Sequence, residues 1–490
     1  MASNDDPVVA NPTWFGQIRD FFTSTDIAHM QAKGIDLSVY DVVATSCWDI
    51  YGQTSSGSMP PDPLPKWSAN KNQTFFNWAN QNCPKGTPSP AAPEAMFAAQ
   101  AGAARVRKDV ADLSDAEIAT LKTAFEGMMG RDPSQPDSYF TIAGYHWFPA
   151  IDINPRFHCL HHENRFLPWH RFHLLRLEDA LRSVPGCADV TLPYWDISSL
   201  EVPSLFSQPP FDKYVAQANI GHGYDPLTTS RFDAGTIIDQ FRATRIPEAT
   251  QDALRLPKWE DFNRAYWGVH DNGHNSIGAT MRNQDISSFD PIFWFFHCNL
   301  DRVWLQWQAS LHATTLSGFK STCTGPTVWL DNAQVGALPP FTGTAADAVT
   351  LSEVAYAPPA REAAAMDFVN RAGNVRAAAT FRIDSNAPLS VRVKDIDRTA
   401  IPGTFVVHLL ADGEEVAQQA FFQPTDPTAC LNCSENAQVP IDFLVPAERI
   451  LNKDLSIEIH VPDQEDIGSQ FPLSKVGSPT INVRHLLEGD

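Results

Sequence analysis

Long apolar runs are missing from this chain. None approaches the roughly 18 consecutive residues of a membrane-spanning helix, so a transmembrane reading is rejected. Positive charge is scarce too: 36 Lys and Arg stand against 57 Asp and Glu, a formal net charge of -21. A surface without a cationic excess does not neutralise phosphates, which argues against nucleic acid and anionic membranes and favours small neutral or cationic substrates. Cysteine is sparse, eight in 490 residues, and its uneven grouping does not describe a disulfide scaffold. The opening MASNDDPVVANPTW has no basic stretch followed by an apolar one, so no signal peptide is expected and a cytoplasmic location is the default. Also lacking are H-E-x-x-H, C-x-x-C-H and helical Glu-x-x-His pairs. With them go the zinc-protease, covalent-haem and carboxylate-bridged di-iron readings.

What is present is aromatic. With 13 Trp, 30 Phe and a hydrophobic fraction of 43%, the chain can fill the cores of the two or three domains its length suggests. Residues 1–95 carry Pro-punctuated helical patterns such as WFGQIRDFF and FFNWANQN and end in the linker-like PKGTPSPAAPEA, which reads as a small helical domain or extension. Within it, YDVVATSCWDIYGQTSSGSMPPDPLPKW loosely resembles the distal half of a c-type cytochrome, without the haem-attachment motif. Residues 96–357 show recurring helical signals. Ser114 with Glu117 three residues later forms a capping-box pattern, while LPYWD at 192–196 and the turn-rich stretch 201–257 read as long loops around a helical bundle. From 358 to 490 the period changes to alternation in runs such as LSVRVKD, GTFVVHLLA, VAQQAFFQP and LSIEIHV, which predict a carboxy-terminal β-sandwich.

Ten of the 15 histidines fall between His146 and His297, inside the helical segment. One group is His146 with His158, His161, His162, His170 and His173 of FHCLHHENRFLPWHRFH; the other is His270, His274 and His297. His270 and His274 share a helix face at i, i+4. His297 lies in DPIFWFFHCNLDRVW, a helix predicted to be capped by Asp290, with Pro291 in the first turn, and apolar enough to be buried. Clusters of neutral imidazoles suit Zn, Cu, Fe or Ni, and with the zinc and di-iron motifs absent copper is the better inference.

The runs HHENRFLPWHR, HDNGH and DPIFWFFHCNLDRVW together resemble the two copper signatures of type-3 copper proteins, the tyrosinases, catechol oxidases and haemocyanins. The likeness takes in VRKDV, IAGYH and LPYWD and covers roughly residues 104–308. It implies a mainly α dicopper four-helix-bundle core. It also implies two Cu2+ ions with O2 as co-substrate, and oxidation of small phenols, o-diphenols to o-quinones and monophenols by ortho-hydroxylation. The alternative it carries is a haemocyanin-like oxygen-binding protein; no oligomeric state follows from it. On this resemblance the first copper is held by His146, His161 and His170 and the second by His270, His274 and His297. Cys159, two residues before His161, stands where the family can form a thioether with that histidine.

The same resemblance places Asp271 and Asn275, each just after a ligand, where the family steers and deprotonates the phenol; the equal alternative for Asp271 is a turn cap or a pair with an Arg. Glu260 and Asp261 fall where bacterial members hold a water, with no choice made between them. Met281, Arg282 and Gln284 precede the last ligand helix and either shape the mouth, Arg282 favouring a substrate carboxylate, or are surface residues. His158, His162 and His173 are surplus to coordination, and Phe296 stands where many members have His. The β-rich tail is expected either to shield the site or simply to stabilise the fold. Cys430 and Cys433 of CLNC are left open between Cu(I) uptake, a local disulfide and free thiols.

Overall fold

The computed structural model describes residues 8–31, 33, 35–37, 39–61, 66–86, 105–153, 160–360, 388–462 and 469–485. The chain divides into two compact units, Met1–Ala92 and Pro93–Asp490. Among the described residues no helix is long and apolar enough to cross a membrane.

The first unit is helical: α1 (Ser24–Gln31), α2 (Tyr40–Thr45), α3 (Cys47–Ser55) and α4 (Ala69–Asn80). Its core is aromatic, with Trp14, Phe22, Phe75 and Trp78 buried and Trp14 edge-on to Tyr40 at 6.0 Å. Ser68 starts α4 by accepting the Lys71 N–H at 3.1 Å, the side-chain cap that an exposed helix start requires.

In the second unit α5 (Asp115–Met129) opens on the capping box expected from Ser114 and Glu117, both arms of which are formed. It is followed by α6 (Tyr139–Gly144), α7 (Phe166–Arg182), α8 (Trp259–Ile277) and α9 (Ile292–Ser310). Helix α9 is buried on nearly all sides, as its continuous apolar run demands. Asp290 accepts the Ile292 N–H at 3.1 Å and pairs with Arg231 at 2.7 Å, so it caps the helix start as its sequence position suggests. Helix α8 ends at Gly278, whose φ of +76° and whose approach to Phe232 leave no room for a side chain.

Two short parallel strands, β1 (Arg105–Arg107) and β2 (Val354–Tyr356), lie on the helices. Arg107 is fully buried and donates to Glu178 of α7 at 3.1 and 3.2 Å and to the Tyr356 hydroxyl at 2.7 Å. Arg171 of α7 donates to Asp301 of α9 at 2.5 Å, and Arg107 reaches the other oxygen of that carboxylate at 3.4 Å. Arg171 follows His170, and Asp301 lies one turn after His297. The ion pair therefore fixes the two helices against each other beside those histidines. Asp301→Ala removes the buried counter-charge of Arg171 and one of the two carboxylates facing Arg107 and is expected to cost about 3–5 kcal/mol, read as a lower denaturant midpoint at unchanged m.

The carboxy-terminal part adds β3 (Pro388–Asp397), β4 (Phe405–Ala411), β5 (Glu414–Phe421), β6 (Gln438–Pro446), β7 (Leu455–Val461), β8 (Ser469–Phe471) and β9 (Gly477–His485). They make two antiparallel sheets, in the order β6-β3-β9 and β5-β4-β7-β8. Alternate residues Leu389, Val391 and Val393 of one and Phe405, Val407 and Leu409 of the other enter a common apolar core. Strand β5 runs onto α8. There Gln419 donates to the Gly268 carbonyl at 3.1 Å, and the Ala420 N–H donates to Asn272 Oδ1 at 2.8 Å. The architecture is a mainly helical core with antiparallel sheets laid on the face of α8.

Candidate metal centre

Six histidines gather in two buried triads, His146/His161/His170 and His270/His274/His297, with the ligand atoms of each triad within 4.8 Å of one another. Three helices supply four of them: α7 carries His170, α8 carries His270 and His274, and α9 carries His297. His146 follows α6 in a turn and His161 precedes α7 in another. The triads face each other, with ring centroids 4.5 Å apart for His170 and His297 and 5.1 Å for His161 and His270.

Four of the six rings are oriented through their other nitrogen. His146 Nδ1 donates to the Gln284 carbonyl at 3.2 Å, His170 Nδ1 to Phe166 O at 2.8 Å and His274 Nδ1 to Met281 O at 2.8 Å, while His270 Nδ1 meets the Asp271 carboxylate at 2.7 Å. A proton fixed on Nδ1 leaves Nε2 as a lone-pair donor. The buried Nε2 atoms of His146, His170 and His270 have no hydrogen-bond partner, and those of His274 and His297 face each other at 3.0 Å. Imidazole nitrogens converging in two sets of three fit borderline metal ions such as copper.

Burial, followed by the neighbouring imidazoles, holds the His146, His161, His270 and His297 pKa values well below the usual histidine range. Burial alone brings His274 to about 3. The rings are thus neutral, as ligation requires. The metal-free protein has a matching pH dependence. Below about pH 6.5 the unfolded chain takes up protons that these folded sites refuse, so stability is full above that pH and declines as pH falls through it. Denaturant melts of metal-free protein at pH 7.5 and 5.5 should show the lower midpoint at 5.5.

Two of the surplus histidines, His162 and His173, have partners of their own outside the triads. His173 donates to the Ile142 carbonyl at 2.7 Å and packs edge-on to Trp294. His162 meets Asp271 at 2.7 Å and stacks on Phe421 at 4.0 Å. His158 and Cys159 lie outside the described residues. Asp271 is buried and joins His270, His162 and, at 3.0 Å, the N–H of Phe422. Burial raises its pKa, opposed by His162. Asn275 is buried, and its Oδ1 has no hydrogen-bond partner.

Other expected residues sit differently from their sequence reading. Glu260 accepts the N–H groups of Thr324 and Gly325 at 2.8 and 3.1 Å, and Asp261 is exposed. Both lie more than two turns before His270, at the start of α8. Met281 and Gln284 support histidines through their backbone carbonyls and are buried rather than at an open mouth. Arg282 is buried over the Phe232 ring and donates to the Asn275 carbonyl at 3.4 Å. Phe296, the departure beside His297, lies directly over Gly273. A Cβ there would come within 2.6 Å of the ring, and the ring flanks His274 at 5.1 Å. Large and small residues are thus matched across α8 and α9 between the ligands. Cys430 and Cys433 form a disulfide, next to which Asn432 donates to the His161 carbonyl at 2.8 Å.

The sequence reading missed Phe422. Its ring stacks on His274 at 4.0 Å and lies 5.2 Å from His161 and 5.5 Å from His270, covering both triads. A signal was present in the aromatic pair that closes the run VAQQAFFQP: Phe421 is the last residue of β5, and Phe422 follows it outside the strand, where it need not join the sheet core. Phe421 takes the inward place, stacked on Phe405 at 5.1 Å.

The family model described as the common central domain of tyrosinase matches residues 136–219 and 206–310. Hemocyanin 2 of Megathura crenulata is 28% identical over 245 residues, 44% of this chain and 7% of its own length. A tyrosinase of Hahella sp. (strain CCB-MM4) is 26% identical over 258 residues, 42% of this chain and 53% of its own length. The chain thus spans at most about half of these relatives. In fold it is similar to the tyrosinase from Burkholderia thailandensis, with a TM-score of 0.54 and 19% identity, covering 78% of this chain and 100% of that one. The two histidine triads lie within the residues that match this central domain, in a stretch similar to both tyrosinases and haemocyanins.

Proposed function

We propose that this chain oxidises small phenols with O2 at a dicopper centre, converting o-diphenols to o-quinones and hydroxylating monophenols at the ortho position. The observation that carries the reading is Phe422. A phenyl ring already lies flat on His274, in a buried site that holds six neutral imidazoles, so the site has the shape and polarity of a bound phenol. Two copper ions, one on each triad, would supply the redox chemistry with O2. The chain's own residues position and protect it. The Gln284, Phe166 and Met281 carbonyls and the Asp271 carboxylate aim four rings, while Phe293, stacked on His297 at 4.0 Å, and Phe296 exclude water.

Asp271 is proposed as the acceptor of the phenolic proton, since displacement of Phe422 removes an N–H from its Oδ2. Asn275, with an unmatched buried Oδ1, is proposed to bind the substrate hydroxyl. Contact of substrate with Met281 and Arg282 requires the sheets to move, because Thr404 donates to the Arg282 carbonyl at 2.7 Å. A Cys159–His161 thioether, a four-helix bundle shielded by a β-sandwich and a cytoplasmic location complete the proposal.

Reversible oxygen binding is the second reading, and the coverage of the site by Phe422 favours it, since a carrier has no need to admit a phenol. The test loads the protein with copper and follows oxygen uptake with tyramine beside its matching catechol, before and after limited proteolysis. Quinone formation after cleavage supports the oxidase. An O2-dependent near-ultraviolet band with no phenol oxidised in either state would favour the carrier, and failure to bind copper would sink both.

A further inference from the structure

No residue of the amino-terminal unit is among those assigned above, and the unit holds a cavity of about 180 Å³. Its walls are apolar, built from Phe22, Met30, Leu37, Ile50, Met59 and Trp67. Much of it comes from the run between Tyr40 and Trp67 whose purpose the sequence left open. Ser46, Asp49, Ile50, Gln53 and Thr54 all reach the cavity, at the three- and four-residue spacing of one helix face, so α3 presents a continuous side to it. An apolar cavity of about 150 Å³ takes up one benzene. The volume here is therefore that of a single aromatic ring with a short substituent. A unit of this size has little core to spare, and empty apolar walls lose their packing partners.

The polar groups around the cavity narrow the ligand. Asp26, Asp49 and Gln53 bring acceptor oxygens and His29 a ring nitrogen, one Asp26 oxygen already accepting from the Thr23 N–H and hydroxyl. Nearby cations are directed elsewhere: Lys66 donates to the Pro60 carbonyl at 2.5 Å and Lys71 to the Phe21 carbonyl at 2.7 Å. A ligand with a hydroxyl donor is matched, whereas a ring bearing a carboxylate meets two like charges. We propose that the amino-terminal unit binds an uncharged single-ring phenol in this slot, as a ligand site separate from the metal centre and independent of the reaction proposed there.

The test uses the full chain freed of metal, titrated with phenol, anisole and benzoate by ligand-observed NMR. Phenol should bind saturably, about five- to tenfold tighter than anisole, the value of one net hydrogen bond, and benzoate should not bind. Ile50→Trp fills the slot and should abolish phenol binding while the thermal melt stays cooperative. Asp49→Lys alters an exposed residue, so folding is not at stake, and should admit benzoate while weakening phenol. Phenol binding that survives Ile50→Trp, equal binding of all three rings, or no saturable phenol binding by the wild-type chain would each overturn the proposal. Because no copper is present, none of these outcomes depends on whether the metal centre is an oxidase.

Discussion

Phe422→Ala is expected to raise catechol oxidation by the copper-loaded protein on the order of 100-fold, the penalty set by a covering group that leaves about 1% of molecules open. The ring is held over His274 by its neighbours. The Phe422 N–H is bound by Asp271, the Ala420 N–H by Asn272 and the Thr425 N–H by Asp285 at 3.2 Å. Phe421 beside it is clamped between His162 and Phe405. Truncation removes the ring and leaves these backbone anchors, so the sheets stay docked while a ring-sized space opens over the second triad. The measurement is the initial rate of quinone formation at two coppers per chain. An unchanged rate at full copper content would show that Phe422 does not control access, and the shielding role of the sheets would fall with it.

His274→Ala should reduce bound copper from two ions to one and lower quinone formation by more than about 100-fold, beyond the 10- to 100-fold that loss of an outer-shell partner costs. The residue is central to the second triad: Met281 fixes its Nδ1, its Nε2 faces that of His297, and Phe422 lies on its ring. Copper content by atomic absorption and activity on the same sample separate loss of the ion from loss of the fold. Full copper with undiminished activity would remove His274 from the ligand set. Met281→Ala offers a contrast, since the carbonyl that orients His274 belongs to the backbone and persists, so two coppers should be retained.

Much of the centre was legible in the sequence because it is built from local periodicities. The i, i+4 spacing of His270 and His274 places both on one face of α8 whatever that helix packs against. Asp290 and the unbroken apolar run after it likewise determine a buried helix carrying His297. The alternating runs after residue 388 announce sheets for the same reason. Signals of this kind need only neighbours in the chain. They could not say that Glu260 would accept the N–H groups of Thr324 and Gly325, because the phase of a helix against its surroundings is set by packing and not by distance along the chain.

Tertiary structure decided what covers and steadies the histidines. Asp271 and the Phe422 N–H are separated by 151 residues, and Arg171 and Asp301 by 130. Neither contact leaves a mark on local composition. The sequence by itself gathered nine histidines into two clusters and marked the helices that carry most of them, because spacing and burial are written at the scale of a helical turn, and the family resemblance singled out six of the nine as ligands. Only the packing of β5 on α8 brought Phe422 over His274 and turned Asp271 from a neighbour of one ligand into the joint between the metal centre and the sheets. Whether two distant surfaces fit is settled by shape and hydrogen bonding across the whole fold.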